Sequence, residues 1–527
     1  MQKINFKLFL KSTFLILIIT LFIKVDFRLQ EEVFCCSDDH DYYSHSETIA
    51  LDFDLDYSNQ LEGFENKRYN LNDKVAPIGF IGSGFLASPF LFFGNIFDNI
   101  ISLNSGVSFK VLFYSFSSIF YLLLTLKYLI SIKNLIGSEI KDLYIMIFYL
   151  GSGISYYAFE RYSMTHIYEA FTITMISYFV IKLQKNTNLN YQKYHIFYLT
   201  LFMFLGVNVR WVNYYIFLLP IFLPKYLNIN NFSIYKSKLF LSNLIIFTIL
   251  TLKINQLIYG IYTINPNKVY SSDIIDNTLS NLFSVETFIH YIKSFSIILF
   301  SQEFGILYFF PVLFFSLFLL VIKTIKNSRE LNNYIGLIMF AQVFIIVILW
   351  QSTASSYGFR YLYNLLPLSI IVLVNEFQFI NKKFISKFLN LLLLLSIFSL
   401  TSTIFFETTE LTQLSLENKI NSFGNSVRYT QPEYLKGYLL SFTSLNSYLK
   451  IFATSYFGMF FFKSIFVFIK VEEFFDYLNK IGLNLNDEKV YSLLLKYENL
   501  EVVYVFINII FVLLIYKYIK NIVFRNY

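Results

Sequence analysis

Long apolar runs separated by short lysine-rich stretches dominate the chain. About 20 apolar residues cross ~30 Å of hydrocarbon. The first such run is Leu8 to Ile23, with Lys3, Lys7 and Lys11 around its start. Lys24-Val25-Asp26-Phe27 after it offers no small-residue cleavage site, so the run reads as an uncleaved anchor. Eleven more follow near 111–130, 143–159, 166–181, 194–209, 211–224, 239–258, 306–322, 333–350, 362–379, 388–405 and 501–516. The pattern predicts about twelve membrane helices.

Basic residues test that count, because cytoplasmic loops carry the excess of lysine and arginine. With the N-terminus inside, Lys127, Lys133 and Lys141 fall inside, as do Lys182, Lys185 and Lys193. So do Lys225, Lys236 and Lys238; Lys323, Lys326 and Arg329; Lys382, Lys383 and Lys387; and Lys517, Lys520 and Arg525. Both termini are then cytoplasmic, and segments 25–107, 259–305 and 406–500 lie outside. The run from Ile451 to Ile469 is also apolar, apart from Lys463. If it crossed, the basic tail would face out, so an interfacial or re-entrant helix is the preferred reading. Glu472 to Leu500 has helix-like apolar spacing.

Composition agrees. Of 527 residues, 56% are hydrophobic and 15% charged, and the mean hydropathy is +0.54. Soluble domains carry roughly 25% charged residues. A soluble enzyme, a disordered chain and a disulfide scaffold are thereby excluded. A nucleic-acid binder is excluded too, because the net charge of +7 is spread over short loops. The 64 Phe and 42 Tyr beside 18 Gly are ascribed to genomic base composition. Cys35 and Cys36, the only cysteines, are adjacent, which strains a bridge between them and makes no metal site.

The first outer segment carries the candidate chemistry. From Glu31 to Asp73 it is rich in carboxylates, most of them a solvated acidic loop. Asp38-Asp39 differs, being followed by His40-Asp41-Tyr42-Tyr43 about fifteen residues beyond the membrane exit. A carboxylate there can take a proton from a hydroxyl at the membrane surface, and two adjacent ones repel. Arg161, Arg210 and Arg360 each lie at the outer end of a helix. Arg210 is the only formal charge between Lys193 and Lys225. Two runs of ~15 residues reach only about 22 Å, which predicts a turn below the outer surface with Arg210 at the bottom of a cleft. The alternatives are snorkelling, or pairing with Glu160. Arg360 follows Ser352-Thr353-Ala354-Ser355-Ser356-Tyr357-Gly358-Phe359 and suits either a bidentate phosphate grip or an interfacial anchor. An outer carboxylate with arginines at the lipid boundary suggests transfer of a sugar from a lipid phosphate to an acceptor hydroxyl.

These residues resemble a family. Ser37 to Tyr43, then Asp52-Phe53-Asp54-Leu55-Asp56-Tyr57-Ser58-Asn59, is similar to the first outer loop of bacterial GT-C glycosyltransferases, relatives of protein O-mannosyltransferases and aminoarabinose transferases. Lys74 to Gly79 with Ser88-Pro89-Phe90, Tyr156 to His166, Leu299 to Leu307 with Pro311, and Tyr357 to Tyr361 resemble later family segments in the same order, over roughly residues 1–375. Asp39 stands where Glu is usual, and Arg161 and Gln302 each replace a proline, leaving substrate identity open.

The resemblance implies an all-α polytopic membrane protein, a GT-C bundle of about twelve helices with a small, mostly helical periplasmic C-terminal segment. Its parts are expected at 1–405 (catalytic membrane region), 406–500 (periplasmic) and 501–527 (last helix and cytoplasmic tail). It implies inverting transfer at the periplasmic face of a bacterial inner membrane, from a polyprenyl-phosphate-linked sugar to a glycolipid, polysaccharide or protein acceptor. Asp38 would be the base, with Asp39 in the catalytic pair. Arg360 and Arg210 would bind the donor phosphate, and Tyr42, Glu160, Arg161, His166 and Glu303 would line the cleft. His166 contacts the substrate or makes a helix-end hydrogen bond. No cofactor is required, although some relatives use a divalent cation near the acidic pair. An O-antigen polymerase or ligase, and a lipid-linked sugar transporter, are the rival readings; no internal repeat favours the transporter.

Overall fold

The computed structural model describes residues 6–24, 29, 36–63, 69–185, 189–229, 234–266, 269, 285–301, 305–326, 334–350, 357–378, 382–405, 418–420, 426–428, 442–481 and 488–524. These are mainly α-helical, with two short hairpins. Among the described residues, four helices are long and apolar enough to cross a membrane: Phe109–Ile136, Lys238–Tyr259, Ile385–Phe405 and Val502–Asn521. The protein is a multi-pass membrane protein.

The described residues of the twelve apolar runs are mainly helical. The first is α1 (Phe6–Phe22). Within 25–107, α2 (Cys36–Glu47) is followed by α3 (Gly82–Ile100). Between them Asn70–Leu71 (β1) pairs antiparallel with Lys74–Val75 (β2). Asn72 and Asp73 turn the hairpin at φ 51° and 58°, a conformation that short Asx side chains tolerate. Next come α4 (Phe109–Ile136), α5 (Asp142–Leu150), α6 (Ile154–Phe159), α7 (His166–Lys185), α8 (Leu189–Val209), α9 (Leu219–Tyr226) and α10 (Lys238–Tyr259). The Ser108 hydroxyl caps α4 at Val111 N, and Gly137 ends it at φ 84°.

Helix α3 was legible only as a packing segment. It runs for 19 residues with Pro89 inside it and packs on α4 and α2. Helix α7 lies between α4 and α8 and is buried on every face from His166 to Ser177. A helix buried all round belongs at the centre of a bundle, and this one carries His166 and Glu169 into it. Run 143–159 breaks into α5 and α6 at Gly151 to Gly153. A Cβ on Gly153 would lie 2.0 Å from the Tyr363 hydroxyl, so this close approach requires glycine.

Two runs begin as 3₁₀ segments. Trp211–Leu218 precedes α9, and Arg360–Leu365 precedes a later α-helix, Leu366–Glu376. Pro220 and Pro367 sit in the first turns of these helices, where a missing N–H costs nothing. The 3₁₀ rise of ~2.0 Å per residue stretches Trp211–Tyr226 to about 28 Å. This corrects the length argument for Arg210, since the span nearly matches the hydrocarbon thickness. Contacts, not shortness, bury this arginine.

The remaining helices are α11 (Val285–Phe300), α12 (Ile306–Phe309), α13 (Pro311–Lys326), α14 (Tyr334–Trp350), α15 (Leu366–Glu376) and α16 (Lys382–Phe405). After the hairpin of Asn418–Ile420 (β3) and Ser426–Arg428 (β4) come α17 (Leu445–Ala453), α18 (Tyr456–Ile465), α19 (Val471–Lys480), α20 (Glu488–Asn499) and α21 (Val502–Phe524). Ends assigned to one side by charge meet one another: Glu376 Oε1 takes hydrogen bonds from Lys323 Nζ (2.7 Å) and the Tyr226 hydroxyl (2.6 Å). The ends carrying Arg161, Arg210 and Arg360 meet elsewhere.

Candidate active site

The doublets Asp38-Asp39 and Tyr42-Tyr43 lie four residues apart on α2, so each face of the helix receives one Asp and one Tyr. Neighbours on a helix point about 100° apart, and the two carboxyls accordingly part company. Asp38, with 42% of its side chain exposed, sets Oδ2 3.3 Å from Arg360 Nη1. Asp39 is buried and accepts hydrogen bonds from the Arg161 guanidinium and the Ser163 hydroxyl. Burial raises its carboxyl above the ordinary range, Arg161 and Ser163 oppose, and the charge of Asp38 contributes least. Mutual repulsion of the pair is a minor effect. Tyr43, on the Asp39 side, packs edge-on against Tyr114 with ring centroids 5.0 Å apart.

Tyr42 shares the Asp38 face and lies in the fields of Arg210, Asp38, Arg360 and Glu169. Burial pushes its phenol up, so it stays a donor. Gly79 makes room for it: a Cβ there would come within 2.9 Å of the ring.

The two 3₁₀ segments bring the arginines together. Asn364 Nδ2 donates to Asn213 Oδ1 (3.2 Å) and the Tyr215 hydroxyl donates to Asn364 O (2.9 Å). Arg210 and Arg360 therefore flank one ring, with guanidinium carbons 4.3 and 5.2 Å from the Tyr361 centroid. Arg210 Nη1 lies 3.4 Å from Glu169 Oε2, which His166 Nδ1 also approaches at 3.0 Å. His166 thus makes the helix-end contact at i+3. Buried Arg360 Nε and Glu169 Oε1 have no hydrogen-bond partner among the described residues.

Glu160 stands at the C-terminal end of α6. It is buried in an ion pair with Lys24 at the end of α1. Breaking a buried pair by removing one partner costs about 3–5 kcal/mol. Lys24→Met is expected to destabilise by that amount, and Lys24→Met/Glu160→Gln by clearly less, in thermal unfolding of the purified protein. Equal losses in both variants would show that the pair is not what holds this corner.

Glu303 and Gln302 lie outside the described residues, as does the stretch 351–356. Sequence reasoning missed Glu169, Ser163 and Tyr361. Glu169 had a signal, as the only acid inside run 166–181, and intramembrane charge is a functional-site hypothesis by default. No group of three His, Cys, Asp or Glu converges among the described residues.

No family model matches the chain, and no curated protein does. Among solved structures the chain is similar to the archaeal oligosaccharyltransferase AglB from Archaeoglobus fulgidus in complex with an inhibitory peptide and a dolichol-phosphate. The identity is 12% and the TM-score 0.37, over 91% of this chain and 60% of that one. This chain thus spans about three-fifths of that protein's length.

Proposed function

We propose that the protein is a membrane glycosyltransferase of GT-C type, moving a sugar from a polyprenyl-phosphate donor to an acceptor hydroxyl. Its site faces the periplasm of a bacterial inner membrane, twelve helices cross, and both termini are cytoplasmic. One observation carries the reading: a half-exposed carboxylate, Asp38, meets Arg360, which shares the Tyr361 ring with Arg210.

Asp38 takes the acceptor proton as the acceptor oxygen attacks the anomeric carbon. The bond from that carbon to the phosphate oxygen breaks on the opposite face, inverting the configuration, and its electron pair leaves with the polyprenyl phosphate. Arg360 and Arg210 bind the phosphate and stabilise the growing charge. Glu169 aims Arg210 and is itself steadied by His166. Tyr42 donates a hydrogen bond across the cleft. Asp39 anchors α2 through Arg161 and Ser163, so the reaction uses one base.

The test is a lipid-extract assay with purified protein in bilayers. One polyprenyl-phosphate-linked sugar is expected to disappear with release of polyprenyl phosphate and a new glycoside. Movement of the sugar lipid across the vesicle without glycoside would identify a transporter. Undiminished transfer by an Asp38→Asn/Asp39→Asn variant would favour the polymerase or ligase reading.

A further inference from the structure

Helices α17 and α18 replace the single apolar run at 451–469. They meet at Thr454 and Ser455, where the Ser455 hydroxyl caps α18 at Gly458 N. The crossing is tight, since a Cβ on Gly458 would lie 1.9 Å from Phe452 O. Ten residues of α-helix reach only about 15 Å, so α18 does not cross a bilayer.

The outward stripe of α18 and the turn after it is apolar. Phe457 (66% exposed), Phe460, Phe461 (52%), Val467 and Phe468 (87%) recur at helical spacing, and only Ser464 interrupts them. The inward residues Tyr456, Met459 and Phe462 are apolar as well. Lys463 turns away from the stripe and donates to Glu498 O at 2.8 Å. A helix facing water shows charge on its outer side, as α19 does with Glu472, Glu473 and Asp476. The change from apolar to charged surface falls at Ile469 and Lys470.

The attachment sets the depth of this hairpin. Tyr456 N donates to Ile23 O (2.8 Å) at the end of α1, and the Tyr456 hydroxyl donates to Asn508 Oδ1 (3.0 Å). Asn508 is six residues inside α21, about 9 Å along its axis, and α21 is long and apolar enough to span and itself exposes Phe506, Ile510 and Leu513. The phenylalanine stripe therefore starts at the level of hydrocarbon.

We infer that α18 and residues 466–469 are inserted in the outer leaflet, with Phe457, Phe461 and Phe468 in contact with lipid acyl chains and the water boundary at Lys470. The inference holds whichever reaction the cleft performs.

Nitroxide side chains placed by Phe461→Cys, Phe468→Cys and Asp476→Cys, with Cys35→Ser and Cys36→Ser, report this in the full-length protein. The vesicles are phosphatidylethanolamine and phosphatidylglycerol. Oxygen collisions are expected to exceed those of a water-soluble nickel chelate at 461 and 468, and the order to reverse at 476. Nickel access at 461 and 468 equal to that at 476 would place the hairpin in water. Protection from both agents would place it against protein, and either result overturns the inference. Phe457→Cys gives a second reading should the Phe461 variant fail to fold.

Discussion

Asp38→Asn is expected to lower the turnover of sugar transfer by roughly 10²–10⁴-fold, the range for losing a positioned general base. The amide is nearly isosteric and cannot accept the acceptor proton. Asp38 is half exposed and its ion pair with Arg360 is 3.3 Å long, so losing the pair should cost at most about 1 kcal/mol of stability. Unfolding temperature and donor binding should stay close to wild type while turnover collapses. Asp39→Ala separates the two acids. It leaves the Arg161 guanidinium without its buried acceptor, a change of about 3–5 kcal/mol, and its main signature is lost stability. Normal turnover in Asp38→Asn with purified donor would remove the base and the proposed reaction with it.

The second large effect is at Arg360. Arg360→Ala is expected to lower kcat/KM for the donor by about 10²–10³-fold, the usual cost of deleting one charged donor to a developing anion. Much of the change should appear in donor affinity. Arg360→Lys should recover only part of it, because an ammonium cannot reproduce the planar two-point grip. Arg210 is a poorer test: its removal leaves Glu169 buried beside His166 alone, so stability and binding would fall together. Donor titration by calorimetry with a polyprenyl-phosphate sugar separates these outcomes, and unchanged affinity and turnover in Arg360→Ala would rule out its phosphate role.

The helices were legible because long apolar runs are a strong, local signal. The described parts of the twelve runs are mainly helical, but the internal breaks at Gly151 to Gly153 and the 3₁₀ starts at Trp211 and Arg360 were not visible. Those breaks follow from contacts of one run with another: Gly153 meets Tyr363, and Asn213 meets Asn364. The convergence of Asp38, Arg210 and Arg360 could be guessed from sidedness. Which partner each acid takes could not, since Glu160 and Glu169 both suit an arginine on charge alone. Only packing sends Glu160 to Lys24 and Glu169 to Arg210. The divergence of Asp38 and Asp39 was available from the helical angle between neighbours, had 36–47 been read as a helix.

Glu160 and Arg161 are consecutive, and one holds Lys24 while the other holds Asp39. Two ion pairs thus join the end of α1 to the start of α2 through a single peptide unit. The position of the Asp38 carboxylate is therefore tied to the end of the first helix. One residue added within α1 would turn the end of that helix by about 100° and displace the Lys24 anchor, although no residue beside Asp38 had been altered.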